Sequence, residues 1–404
     1  MNKFALEGVR VLDFTQHWAG PHTTLLLTYL GAEVIKVESV KRPDPQRSFS
    51  YTLGQAFQEL EKSSVFNEVN LNKMDITLDL TKPRAVGLAK ELVKISDVVT
   101  ENFRPGVMDR LGLDYESIRE VKPDVIMLSS SAQGGTGPER EYSGYASVFA
   151  SLAGLAYITG YPDEDPYPMR GRIDLMSATT SAFAILVALH YRRRTGKGQY
   201  IDISSTESIS VLIGDVLMDY TMNGRSQSRR GNRDDIMAPH NCYRCRGEDK
   251  WVSIAIATEE EWSAFCEAIG NPDWVKDDRF CDAYNRWQNQ DDLDKLIGEW
   301  TINHTHYEVM EKLQKVGVAA MPSFSAEELY NDTHLKERGF STKVEHPVMG
   351  QQSVLNPPWK LSSTPARINR HAPLFGEHNE CVFGELLGMS DEEIKNLMDE
   401  QVIY

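Results

Sequence analysis

The chain has 404 residues, of which 41% are hydrophobic and 25% are charged. Two domains are expected at this length, and the composition excludes a disordered or fibrous protein. The 59 Asp and Glu residues outnumber the 43 Lys and Arg residues, which gives a formal net charge of -16. This balance argues against a general role on nucleic acid or on an anionic membrane.

The first 200 residues alternate between strand-like and helix-like patterns. Short β-branched runs predict strands, and apolar residues at helical spacing between them predict helices. The strands are expected at Val9–Phe14, Glu33–Glu38, Ile76–Leu80, Asp97–Thr100 and Val125–Ser129, and the helices at Thr23–Leu30 and Ala85–Lys94. This order predicts an α/β fold whose parallel sheet is covered by helices on both faces.

A long helix is predicted over Leu175–Arg194, with Gly196 as its C-cap rather than part of a phosphate loop. The strand Tyr200–Ile203 and a helix over Ser205–Tyr220 follow. The polar, charged segment Asn223–Asp235 is typical of a linker or mobile loop.

The remaining chain predicts a smaller α/β domain. Its expected strand is Trp251–Ala257, and its helices are Glu259–Ile269, Leu293–Thr301 and Tyr307–Val316. From about His334 the sequence is Pro-rich and irregular until a helix at Asp391–Asp399. The expected division is therefore a large domain over 1–204, a linker over 205–235, a small domain over 236–333 and a return segment over 334–404 that completes the large domain.

Two features bear on the compartment. No basic segment followed by an apolar one opens the chain, and the two most apolar stretches are interrupted by Ser, Thr and Gly. The five cysteines include one lone CxxC, Cys242 and Cys245, without a second pair at zinc-ribbon spacing. We expect a soluble, cytoplasmic protein with buried thiols, no metal site and no disulfide framework.

The common catalytic motifs are missing, which turns attention to Asp174. The sequence contains no GxSxG and no GxxxxGK[ST], and the glycines at 134, 135 and 137 do not form GxGxxG. Asp174 directly precedes the long predicted helix. It could be a helix N-cap, or a carboxylate held at a helix N-terminus as a covalent nucleophile.

A series of segments in order resembles the class III CoA-transferases, the family of formyl-CoA transferase and carnitine CoA-transferase. The matching segments are Asp13-Phe14, Ala19-Gly20-Pro21, 30–38 (LGAEVIKVE), Asn72-Lys73, 101–106 (ENFRPG), 109–112 (DRLG), 134–138 (GGTGP), Asp174, 195–199 (TGKGQ) and 373–378 (PLFGEH). The resemblance implies a Rossmann-like large domain, a smaller domain from the middle of the chain, and an interlocked, ring-shaped dimer.

The resemblance also implies chemistry at Asp174. Its carboxylate would attack an acyl-CoA thioester to give a mixed anhydride, which CoA thiolate converts to an aspartyl-CoA thioester before an acceptor carboxylate takes the CoA. This scheme needs acyl-CoA and acid substrates but no permanently bound cofactor. CoA contacts are expected at Trp18, Ala19, Lys73, Asn102, Phe103, Arg104 and Arg110.

Other residues are candidates for stabilising an oxyanion or binding the acid. Backbone N–H groups of Gly134 and Gly135 suit a tetrahedral intermediate, and His17 is next to Trp18. Arg residues suit bidentate carboxylate recognition, which makes Arg47, Arg170 and Arg172 candidates. Each of these side chains could instead be structural or a surface charge.

Trp18 replaces the Gln of the formyl-CoA branch, which predicts a more apolar acyl pocket. Trp18 and the candidate arginines together lead us to expect succinyl-CoA as donor and an aryl- or alkylsuccinate such as benzylsuccinate as acceptor. An α-methylacyl-CoA racemase is the main alternative, although Tyr145 stands where racemases carry a His. A non-catalytic subunit of a heteromeric transferase and a non-enzymatic CoA-binding module are further alternatives. The functional form is expected to be a homodimer or a heterodimer with a paralogous subunit.

Overall fold

The computed structural model describes residues 4–48, 60–169 and 173–404. They divide into two compact units. The first unit contains the described residues of Met1–Tyr157, Pro168–Gln227 and Glu337–Tyr404, and the second contains Ile158–Tyr167 and Ser228–Lys336. The first unit is thus assembled from three separate parts of the chain.

A six-stranded parallel sheet organises the first unit. Its strands are β1 (Arg10–Asp13), β2 (Glu33–Glu38), β3 (Met74–Thr77), β4 (Val98–Glu101), β5 (Ile126–Ser131) and β6 (Tyr200–Ser204). The spatial order is β3-β2-β1-β4-β5-β6, the arrangement of a doubly wound Rossmann sheet. The strand order reverses between β1 and β4, and ligands of such sheets bind beyond the carboxyl ends of the strands at that point.

Helices cover both faces of this sheet. The helices of this unit are α1 (Ala19–Tyr29), α2 (Ser64–Val69), α3 (Pro83–Lys94), α4 (Val107–Leu111), α5 (Tyr115–Val121), α6 (Ala146–Leu152), α7 (Leu155–Ile158), α8 (Asp174–Thr195), α9 (Ser205–Ser210) and α10 (Gly214–Asn223), of which α10 buries none of its residues. Alternate strand residues enter opposite cores: Leu12 packs with the cluster on one face, and Val11 and Val98 with the cluster on the other. This period-two alternation explains why the strands are apolar without interruption.

The second unit contains its own sheet and core. The unit contains the antiparallel strands β7 (His240–Arg244), β8 (Trp251–Ala255) and β9 (Ala319–Pro322) and the helices α11 (Glu259–Ala268), α12 (Ala283–Gln288), α13 (Gln290–Thr301), α14 (His306–Gln314), α15 (Ala326–Asn331) and α16 (Thr333–Glu337). Side chains of the strands and of α11, α13 and α14 form the core. Cys245 is buried in this core, whereas Cys242 is half-buried on β7. Within the described ranges, the cysteines are free thiols, and no group of three or more His, Cys, Asp or Glu residues is placed to hold a metal ion.

The C-terminal segment returns to the first unit. It forms a hairpin of β10 (Ser341–His346) and β11 (Gly350–Leu355) and ends in α17 (Asp391–Asp399). The 373–378 motif binds along β3: the backbone N–H of Gly376 donates to the Asp75 carboxylate at 2.7 Å, and that of His378 to the Asp75 carbonyl oxygen at 2.9 Å. This motif therefore joins the end of the chain to the edge of the sheet.

The structure corrects three expectations about organisation. Residues 205–223 are not a linker but contain α9 and α10 of the first unit, residues 158–167 belong to the second unit, and the hairpin 341–355 occupies a stretch expected to be irregular. The predicted long helix and its C-cap are confirmed, because α8 ends at Thr195 and is followed by the C-cap Gly196 with φ at 71°. Among the described helices, none is long and apolar enough to cross a membrane.

Candidate functional site

The candidate site lies where β1, β4 and β5 end and α8 begins. The loop from β1 to α1 spans residues 14–18. The residues after β4 and β5 lie at the same carboxyl end of the sheet, because parallel strands end together there. Asn102 connects the first two loops: its amide accepts from Gln16 N at 2.8 Å and donates to Gln16 O at 2.7 Å.

Asp174 is the first residue of α8 and is not its N-cap. The cap residue is Ile173, and no side chain makes the capping hydrogen bond, so the capping interpretation of Asp174 is wrong. Among the described residues, no group donates a hydrogen bond to the Asp174 carboxylate. Burial raises the pKa of Asp174 from 3.8 to about 7, because a poorly solvated carboxylate loses stability relative to the neutral acid.

The structure places Trp18 and His17 near the start of α8. Trp18 is 8% exposed and packs with Val65 and Val69 against Leu175, the residue after Asp174. The His17 ring faces the Tyr145 ring at 5.8 Å between centroids. Tyr145 precedes α6, which packs on Ile173. Two sequence-predicted residues and Tyr145 are thus gathered around the helix end that carries Asp174.

The glycine-rich segment after β5 adjoins this region but is already engaged. Ala132, the first residue after β5, packs against the cluster that contains Ile173. The backbone N–H of Gly135 donates to both Asp202 carboxylate oxygens, at 2.8 and 2.9 Å. Gly134 has φ at 83°, a conformation that favours glycine. The expected role of Gly135 as an oxyanion donor is therefore not available in this arrangement.

A polar cavity of about 320 Å³ lies along this segment. It is lined by Gln133, Gly134, Thr136, Gly137, Pro138, Glu139, Arg140, Asp202, Ser204 and Glu207. The lining carries three carboxylates and one guanidinium. Its excess of negative charge makes the cavity unsuited to binding the carboxylate of an acid substrate.

Lys73 does not occupy the expected position for a CoA contact. It is fully buried, and its ammonium donates to Pro21 O at 2.8 Å and Asn70 Oδ1 at 2.9 Å and lies 3.2 Å from Asp13 Oδ2. Burial, only partly offset by Asp13, lowers the pKa of Lys73 to about 8. Lys73 thus has a structural role beneath α1.

Arg47 is likewise buried rather than open to an acid substrate. Its guanidinium pairs with Glu38 and Glu61, each at 2.8 Å, and donates to Pro373 O at 3.1 Å. The ring of Phe66 lies 3.7 Å from the guanidinium carbon. These contacts use the donors that would bind a carboxylate, so the expectation for Arg47 is corrected: it connects β2 to the C-terminal segment.

The other predicted contacts differ in accessibility. Arg104 and Arg110 are exposed, whereas Ala19 and Phe103 are half-buried. These four positions are therefore compatible with a ligand at the carboxyl end of the sheet. Arg170 and Arg172 lie outside the described residues.

Sequence reasoning did not single out Glu101 as an ionisable group. It is 5% exposed at the end of β4, accepts from Phe103 N at 2.7 Å and contacts the Ser129 hydroxyl. Burial raises its pKa to about 7, against the opposing effect of these hydrogen bonds. Lys36 and Asp44 were also missed, because their burial depends on contacts far apart in the sequence.

Comparison with known proteins gives a consistent result. The model of CoA-transferase family III matches residues 6–379. The chain is 34% identical to succinyl-CoA–D-citramalate CoA-transferase of Chloroflexus aurantiacus, with 98% of each chain covered. It is 32% identical to the alpha subunit of succinyl-CoA–L-malate CoA-transferase of the same organism, covering 98% of this chain and 92% of that one.

It is also 32% identical to formyl-CoA:oxalate CoA-transferase of Rhodopseudomonas palustris, covering 98% of this chain and 96% of that one. Among solved structures, a CAIB/BAIF family protein from Brucella suis superposes with a TM-score of 0.87 at 29% identity. That match covers 95% of this chain and 100% of the other.

Proposed function

Because the chain belongs to CoA-transferase family III, we propose that it moves CoA from an acyl-CoA to an organic acid with Asp174 as the covalent nucleophile. The observation that carries this assignment is the half-buried Asp174 carboxylate, whose pKa is raised to about 7 at the start of α8. A carboxylate with little solvation is a better nucleophile than one in water. With this pKa, Asp174 is ionised in about half of the molecules at neutral pH.

The reaction proceeds by exchanges between groups of similar reactivity. The Asp174 carboxylate attacks the thioester carbonyl carbon, the C–S bond breaks, and CoA leaves as the thiolate while an aspartyl anhydride remains. The thiolate then attacks the aspartyl carbonyl carbon and releases the donor acid. The acceptor carboxylate attacks the resulting aspartyl-CoA thioester, and CoA returns through a second anhydride to the acceptor. These steps change no oxidation state and require no metal ion.

We propose succinyl-CoA as the donor and a substituted dicarboxylic acid as the acceptor. Two relatives are named for succinyl-CoA with D-citramalate or L-malate, both hydroxydicarboxylates. A third relative, 32% identical like the second, is named for formyl-CoA and oxalate. Trp18 provides an apolar wall with Val65, Val69 and Leu175. That wall is the basis for retaining an aryl- or alkylsuccinate, such as benzylsuccinate, as the predicted acceptor.

The functional form is proposed to be the interlocked dimer, with a second copy or a paralogous subunit. In support, α10 has no buried residue although it carries Leu217, Met218, Tyr220 and Met222, which are 58% to 71% exposed. Exposed apolar groups of this density favour an interface. One relative is named as an alpha subunit, which supports the heteromeric form. Light scattering after size exclusion would separate a dimer from a monomer. The cytoplasmic location stays a prediction.

The mechanism is tested by trapping the acyl-enzyme. The purified chain is incubated with succinyl-CoA, treated with hydroxylamine, and mapped by mass spectrometry for a hydroxamate on Asp174. Asp174→Asn is the control and must remain unlabelled. A label elsewhere, or full turnover by Asp174→Asn in its natural assembly, would remove Asp174 as the nucleophile and favour a non-catalytic subunit. Exchange of the α-proton of a 2-methylacyl-CoA without any label would favour the racemase.

A further inference from the structure

The loop between β1 and α1 is held at every residue from 15 to 17 by side chains that are buried or, for Asn102, half-buried. Asp13 accepts from Thr15 N at 2.9 Å, Lys36 Nζ donates to Thr15 O at 2.8 Å, and Asn102 binds both backbone groups of Gln16. Asp44 Oδ1 accepts from His17 N at 3.1 Å. The loop therefore has few conformations left to it before any ligand arrives.

His17 has an unfavourable backbone conformation within this loop. Its φ is 66°, in the left-handed region that costs a residue with a Cβ about 1 kcal/mol or more. Such a conformation persists only where the surroundings fix it. The adjoining Trp18 reaches Leu175 beside Asp174, and the His17 ring reaches Tyr145. The strained turn thus places Trp18 against the residue that follows the nucleophile and the His17 ring against Tyr145.

Asp44 is the group that connects this turn to the rest of the first unit. It is fully buried, its Oδ2 pairs with Lys36 at 2.9 Å, its Oδ1 also accepts from Gln46 N at 3.0 Å, and its own N–H donates to Glu38 at 2.8 Å. One carboxylate therefore binds both the His17 turn and the lysine that holds Thr15.

We propose that Asp44, anchored by Lys36, is a positioning residue that fixes the left-handed turn at His17 and thereby places Trp18 and His17 against the substrate at Asp174. This proposal rests on the proposed CoA transfer. Asp44 touches no reacting atom; its effect passes through the loop. A displacement of about 1 Å in such a loop can lower a rate by about a hundredfold.

A matched control is available in Asp79. Its side chain is also buried, pairs with Lys41 at 2.7 Å and accepts from the backbone N–H two residues later, that of Thr81, at 3.2 Å. Asp79 binds no atom of residues 14–18. Substitutions at Asp44 and Asp79 each remove a lysine partner and an acceptor for the backbone N–H two residues later, and only the former acts on the loop. The lysines differ in burial, since Lys36 is fully buried whereas the side chain of Lys41 is 57% exposed.

The first measurement is amide hydrogen exchange of the peptide that contains residues 14–18. Asp44→Ala should accelerate its exchange by at least about tenfold, because the His17 N–H loses its acceptor. Asp44→Asn retains an acceptor oxygen and should restore part of the protection. Asp79→Asn should leave this peptide unchanged. Unchanged exchange in Asp44→Asn and in any folded Asp44→Ala would overturn the proposal whatever the activity of the chain.

The second measurement is kcat/KM for CoA transfer. Asp44→Asn should lower it by about tenfold or more, while Asp79→Asn stays within about threefold of the wild type. In a Trp18→Ala background the penalty of Asp44→Asn should shrink, since both changes act on the same loop. Equal penalties in both backgrounds, or equal effects of the two Asp→Asn changes, would refute the positioning role. Failure of the wild type to transfer CoA would refute the proposed function, and the exchange measurement would still decide on the loop.

Discussion

Replacement of Asp174 by Asn should stabilise the fold while abolishing CoA transfer. Burial raises the pKa of Asp174 from 3.8 to about 7, so the ionised form is disfavoured in the folded chain by up to about 4 kcal/mol, at 1.36 kcal/mol for each factor of ten. Asn has nearly the shape of the neutral acid and carries no charge. The nucleophile is therefore held at the expense of stability.

The sign of the effect with pH follows from the same values. Because the folded-state pKa lies above the unfolded-state value, the folded chain binds the proton more tightly between pH 3.8 and about 7. The destabilisation is absent below this range and complete above it. The difference in stability between Asp174→Asn and the wild type should thus be largest at pH 8 and should shrink as the pH falls towards 4.

Thermal unfolding of both proteins from pH 5 to pH 8 measures this difference. The Tm of Asp174→Asn should exceed that of the wild type by several degrees at pH 8. Asp79→Asn provides a control of opposite sign, since the hydrogen bonds from Lys41 and Thr81 overcome burial and lower the pKa of Asp79. Equal Tm values of Asp174→Asn and wild type at pH 8, or a difference that does not depend on pH, would refute the assignment of a poorly solvated carboxylate.

Three further substitutions test the environment of the site. Asp75→Asn should change the free energy of unfolding at pH 7 by less than about 1 kcal/mol, because burial and the neighbouring Glu38 raise the pKa of Asp75 well above its usual value and so disfavour its charged form; a loss of several kcal/mol in urea unfolding would contradict this. Lys73→Met should cost about 3–5 kcal/mol by leaving the buried Asp13 unpaired, again measured in urea, with exposed Lys94→Met as a control that should have little effect. Gly20→Ala should disrupt the β1–α1 loop, since its Cβ would lie 2.4 Å from Thr15 Cβ; kcat/KM and exchange of the 14–18 peptide should both respond, and normal values of both would show that α1 can shift.

The sequence predicted the α/β class, most strands of the parallel sheet and the long helix that begins at Asp174. These features depend on local alternation of apolar residues, on helix spacing and on the glycine at the end of α8, all of which can be read within a short window. The ordered family motifs likewise pointed to Asp174 and to CoA transfer, because each motif is contiguous.

The tertiary structure decided which polar residues are available to a ligand. Lys73, Arg47 and Gly135 have the chemistry of binding groups, yet their partners come from distant segments: Asp13, the C-terminal 373–378 motif and Asp202. The same is true of Asp44, whose contact with His17 spans 27 positions. Burial and pairing of charges are properties of the assembled sheet, since the free energy of a charged group depends on what surrounds it in space rather than on its neighbours in the sequence.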